Sequence, residues 1–185
     1  MTDIRSLLSR KILMLDGAMG TMIQRLRLTE EDYRGSRFAN HDVPLKGNND
    51  LLVLTQPEAI KAIHIQYLES GADIIETNTF TGTANAQGEY GLAHIARELN
   101  REGARIARAA ADEVTKHTPN RPRFVAGSIG PTTRMLSMSP DVNDPGYRAV
   151  TFNEMRDTFK EQILGLVEGG ADMLLFETVT DTLNV

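Results

Sequence analysis

The stretch 168-EGGADMLLFETVTD-181 repeats an earlier one, 69-ESGADIIETNTF-80. In each, a helical pattern stops on glycine, Ala-Asp leads into a short apolar run, and the run closes on Glu-Thr. A short apolar run entered from a helix through glycine reads as a buried strand of a parallel sheet. Two copies imply a repeated αβ unit.

Residues 12–16, ILMLD, form another apolar run ending in an acid before Gly17, and a further strand is expected at 124–127. Helices fill the intervals. MGTMIQRLRL places Met19, Met22, Ile23 and Leu26 on one face. Pro57 suits a first helical position, and PEAIKAIHIQYLESG sets Ile60, Ile63, Tyr67 and Leu68 at helical spacing before Gly71. Residues 91–114 read as an amphipathic helix whose alternating Arg and Glu suit a solvated face, the arginines serving as surface ion pairs rather than a phosphate site. Phe152, Met155, Phe159, Ile163, Leu166 and Val167 line a last helix that ends at Gly169 and Gly170. Residues 29–50 are polar and rich in turn formers, as an ordered excursion or lid would be.

The expected order is β-α-β-α-β-α-β, with longer loops after strands than before them, which describes parallel strands joined by right-handed crossovers. Asp16, Glu76, Thr77, Ser128 and Glu177 fall at the ends of four different strands. A doubly wound open sheet would gather such groups at one switch point, whereas a (β/α)8 TIM barrel spreads them round its carboxyl-end mouth. The even spread favours the barrel. A barrel needs eight strands and about 250 residues, so residues 1–185 are expected to be its N-terminal part, with the remaining strands beyond Val185.

Composition narrows the function. The chain is 41% hydrophobic with net charge −5, and its Lys and Arg are scattered, so nucleic acid is not an expected partner. The stretch MTDIRSLLSRKILML lacks the apolar core of a secretion signal, and no apolar run reaches the roughly 18 residues that span a bilayer. No membrane partner and a cytoplasmic location are expected. The absence of cysteine excludes disulfides, zinc-thiolate sites and thiol nucleophiles within these residues.

Taken in order, 15-LDGAMGT-21, 47-GNNDLLVLTQPEAI-60, 71-GADIIETNTF-80, 127-GSIGPT-132, 139-SPDVNDPGYR-148 and 171-ADMLLFETVTDTLN-184 resemble the N-terminal homocysteine-binding module of the cobalamin-dependent methionine synthases. The resemblance covers residues 8–185. GNNDLL and SPDVNDP look like that branch rather than its betaine- or S-methylmethionine-dependent relatives. It implies a barrel of which the first four or so β/α units are present. It also implies transfer of a methyl group from methylcobalamin to the zinc-bound thiolate of homocysteine, giving methionine. A free thiol, with a pKa of about 8.5, is mostly protonated at neutral pH, and zinc removes that obstacle. Zinc and cobalamin are thus cofactors of the full-length protein. Neither is expected on this chain, because the three cysteine ligands would lie beyond Val185. Folate-binding and cobalamin-binding domains of the same protein are the implied partners. The fragment alone, an open half-barrel, is expected to be inactive and to self-associate through bare strand edges.

The resemblance gives a substrate-binding set of Asp16, Gly17, Ala18, Gly20, Glu76, Thr77, Thr79, Ser128 and Glu177. Asp16 and Glu177 would grip the ammonium group, and the backbone amides of 17–20 would face the carboxylate. Plainer readings stand beside these: Asp16 as the cap of the helix near Met19, Glu177 bonding loop amides, and 128–132 as a tight turn. His41, His64, His94 and His117 share no ligand spacing and read as structural or exposed. Met135 and Met138 suit core, pocket wall or a surface meeting a cobalamin domain. Two rivals remain: a metal-independent barrel lyase using the Asp16/Glu177 pair for proton transfer, and a binding module with an open sheet complete at 185 residues.

Overall fold

The computed structural model describes residues 4–185; residues 1–3, the start of the stretch read above for a secretion signal, lie outside them. The helices and strands are α1 (Ile4–Leu8), α2 (Met19–Arg25), α3 (Glu30–Arg34), α4 (Leu52–Thr55), α5 (Pro57–Glu69), β1 (Ile74–Glu76), α6 (Ala84–Gly88), α7 (Ala96–His117), β2 (Phe124–Ile129), α8 (Phe152–Gly169) and β3 (Met173–Phe176). The strands pair in parallel in the order β1-β2-β3. Ile75 lies opposite Val125, and Gly127 opposite Leu174.

The two repeats prove equivalent atom by atom. Gly71 and Gly170 take φ of +118° and +95°, a region closed to most side chains, and each reverses the chain out of its helix. Ala72 N–H then donates to Tyr67 O at 3.0 Å, and Ala171 N–H to Leu166 O at 3.1 Å. The aspartate that follows bonds the neighbouring extended segment twice. Asp73 donates its N–H to Met14 O at 2.8 Å and accepts Met14 N–H on Oδ2 at 3.1 Å. Asp172 does the same with Val125, at 2.9 and 2.7 Å. Burial opposes ionisation of Asp73, but Met14 N–H, Lys11 and Arg121 outweigh it and hold its carboxyl below the usual range.

One expected strand is corrected. Residues 12–16 form no strand; a single parallel bridge joins Leu15 to Ile74. Ile12, Met14 and Leu15 are exposed, so among the described residues this run has a neighbour on the β1 side and little packed over it, too little to sustain a ladder. Other corrections are smaller. The helix expected over 91–114 starts as a 3-10 turn at Ala93–Ile95 and continues as α7 to His117. Phe152 and Val167 of α8 face outward. The excursion 29–50 is built rather than loose: Thr29 caps α3 in a reciprocal capping box with Asp32, and a 3-10 turn spans Asn49–Leu51.

Packing is tightest between α7 and α8. A Cβ at Gly165 would stand 2.5 Å from Arg97 O, and one at Gly169 would collide with Arg101 O; glycine alone permits this approach. Arg97 and Arg108 pair with Glu168 and Asp172, so the arginines of α7 are ion pairs, as expected. Among the described residues no helix is long and apolar enough to cross a membrane. His64 sits in the core with neither ring nitrogen bonded.

Gly169→Ala is expected to destabilise the fold by about 1–3 kcal/mol in urea unfolding, the usual cost of overpacking against backbone that cannot withdraw. Burial pushes His64 from 6.5 down to about 4. The unfolded chain therefore binds the extra proton first as pH falls. Stability should be complete above pH 6.5 and decline by up to about 3 kcal/mol toward pH 4, and denaturant midpoints in His64→Gln should lose most of that slope.

Candidate functional site

The register fixed by Asp73 and Asp172 brings the strand ends to one edge, where they enclose a cavity of about 490 Å³. Glu76 closes β1, Ser128 is next to last in β2, and Glu177 follows β3. Asp16 follows the bridge at Leu15. Of the nine residues expected at the site, eight line this cavity: Asp16, Gly17, Ala18, Gly20, Glu76, Thr77, Ser128 and Glu177. Thr79 does not. It is fully buried behind the wall, bonded to Thr77 Oγ1 at 2.6 Å and donating to Ser128 O at 2.9 Å. Its alternation with Thr77 and Ser128 makes it part of the frame.

The frame orients the acids. Ser128 N–H donates to Thr77 Oγ1 at 2.9 Å, and Ser128 Oγ donates to Glu177 Oε1. Glu76 N–H donates to both oxygens of Asp16, at 3.1 and 3.2 Å. Asp16 caps no helix: α2 begins after Ala18 with no side-chain cap. Tyr67 steadies this corner, its hydroxyl donating to Ala18 O at 3.2 Å while its ring lies 3.1 Å from where a Gly17 Cβ would be.

Sequence reading missed one wall. Gly47, Asn49 and Asp50, with Phe80 and Thr81, also line the cavity. The available signal was GNND, four polar or small residues ahead of an apolar run, two of which are buried: Asn48 and Asp50. The cavity lining therefore holds four carboxylates and no Lys, Arg or His. Burial raises Asp16 to about 7, with the charge of Glu177 adding to it and the backbone donors opposing. Burial also raises Glu76, followed by repulsion from Glu177 and Asp16. Asp50 is lifted to about 6 by burial against two donors from Thr81. Acids pressed together out of water hold protons at neutral pH, and a cation arriving among them displaces those protons.

The histidines stay apart from the cavity. His41 Nε2 lies 2.7 Å from Tyr90 O, His64 is in the core, and His94 and His117 are exposed. Among the described residues no cluster of three His, Cys, Asp or Glu could hold a metal ion. Met135 and Met138 are exposed and line no part of this cavity.

Since the folded Asp16 keeps its proton until about pH 7 and the unfolded one loses it near 3.8, stability is lost as pH rises through that window. Asp16→Asn should therefore stabilise the protein at pH 8 by roughly 1–2 kcal/mol and leave it unchanged at pH 4, as read from thermal or urea unfolding at both values.

Comparison with known proteins gives one family model, described as homocysteine S-methyltransferase, matching residues 13–185. Among solved structures, the homocysteine methyltransferase MmuM from Escherichia coli in its metallated form matches with a TM-score of 0.74 at 22% identity, over 98% of this chain and 59% of that one. Its oxidized form gives 0.74 at 23% identity, over 98% and 58%. The apo form gives 0.61 at 23%, over 92% and 51%. The likeness shows a shared α/β fold with a parallel sheet. The chain spans less than two thirds of the length of these relatives.

Proposed function

The chain belongs to the homocysteine S-methyltransferase family, and on that premise we propose that the cavity at the strand ends holds L-homocysteine by its ammonium group. The observation that carries this reading is the lining of four carboxylates without one cationic side chain. An ammonium brings the missing charge together with three N–H donors. Asp16 and Glu177 grip it, Glu76 stands beside them, and Thr77 and Ser128 keep the acids in place. The ligand carboxylate lies toward the backbone amides of 17–20. None of these residues needs to act as a base on the thiol.

Zinc, implied by the resemblance, finds no fit in this chain, which has no cysteine and no metal-holding cluster among its described residues. No step of methyl transfer is assigned to its side chains. Three cysteine ligands then lie on strands beyond Val185, in a protein whose complete barrel precedes folate- and cobalamin-binding domains and whose methyl donor is methylcobalamin. Two observations support a continuing barrel. The matched structures are longer than this chain, and among the described residues β3 is paired on one side only, with Leu174 and Phe176 exposed. The lyase alternative runs against the family match over 13–185.

Calorimetric titration with L-homocysteine tests the reading. Asp16→Ala and Glu177→Ala should each weaken binding by about 1.5–3 kcal/mol, the worth of a charged hydrogen bond. Affinity should rise as pH increases through about 7, with protons released on binding, because Asp16 must ionise to pair with the ammonium. Binding that ignores both substitutions would end this assignment.

A further inference from the structure

The wall missed by sequence reading is sewn to the loop after β1 by a compact set of polar bonds. Asn48 and Gln87 exchange amide hydrogen bonds at 2.8 and 3.2 Å. Asn78 Nδ2 donates to Asn49 O at 2.8 Å. Asp50 Oδ2 accepts both Thr81 N–H, at 2.6 Å, and Thr81 Oγ1, at 2.8 Å. Asp50 is 3% exposed and forms no ion pair among the described residues. A carboxylate buried without a cation is costly, and here it meets only the two donors of one threonine.

Thr81 is exposed, so its clamp anchors a loop rather than filling a core. That loop carries Asn78 and Phe80, which line the cavity on either side of buried Thr79. Asn49 and Asp50, hydrogen-bonded directly to Asn78 and Thr81, continue the same stretch of lining. The clamp therefore fixes the position of one wall of the cavity, apart from the Asp16, Glu76 and Glu177 group.

We infer that the Asp50–Thr81 clamp is a specificity-determining device: by fixing segment 47–50 against residues 78–81, it sets the side-chain length of the amino acid that the cavity accepts. The inference rests on the reading that the cavity takes L-homocysteine. Asp50 is a positioning residue, acting through Thr81 and not through contact with ligand.

The test compares the affinities for L-homocysteine and L-cysteine, which differ by one methylene. In the unsubstituted protein the ratio should exceed about tenfold, within the range a single methylene can give. Thr81→Val, which removes only the hydroxyl at an exposed position, and Asp50→Ala should bring the ratio close to one. Asp50→Asn should restore it, because the amide oxygen accepts the same two bonds. An unchanged ratio in Thr81→Val and Asp50→Ala overturns the inference, even where melting temperatures fall. So does an unsubstituted ratio near one, or an equal loss in Asp50→Asn and Asp50→Ala, which would make the charge itself a ligand contact. Failure of the unsubstituted protein to bind either amino acid overturns the homocysteine reading and the inference with it.

Discussion

Parallel strands have no hairpin to set their register, and a slip of one residue would turn every side chain to the wrong face. Here the register is pinned by one aspartate at the entrance of each repeated strand. Asp73 and Asp172 each close a two-bond ring with the backbone of a neighbouring segment, on Met14 in the bridged run and on Val125 in β2. Once those rings form, the ends of β1, β2 and β3 are aligned, and the acids beyond them have only one edge on which to meet. The cavity is thus a consequence of what happens at the opposite end of the sheet.

The same arrangement explains why the acids are perturbed. Asp16 and Glu76 are brought within each other's field by the short reach of Asp16 to Glu76 N–H, and Ser128 ties Glu177 into the group. No cationic side chain lines the cavity to relieve them. The strain among these acids is electrostatic, and it is relieved by protons or by a cation.

Much of this was legible in the sequence because it is local. Helix stops at Gly71 and Gly170, the periodic faces of α5 and α8, and strand-end acids all depend on residues close together in the chain. The strand at 12–16 was overcalled because its apolar run says nothing about how many neighbours will cover it. Thr79 was misplaced for a related reason: strand alternation tells inside from outside only while the strand lasts, and β1 ends at Glu76. Asp50 and its neighbours were missed because their role depends on partners about thirty to forty residues away, Thr81 and Gln87, which no window of sequence displays.

A lining made of acids alone also works as a sieve on charge. Once these acids are ionised, above about pH 7 for Asp16, sulfonates, phosphates and other anions meet repulsion at the mouth, and low ionic strength lengthens the reach of that repulsion. The cavity can therefore be roomy without being indiscriminate.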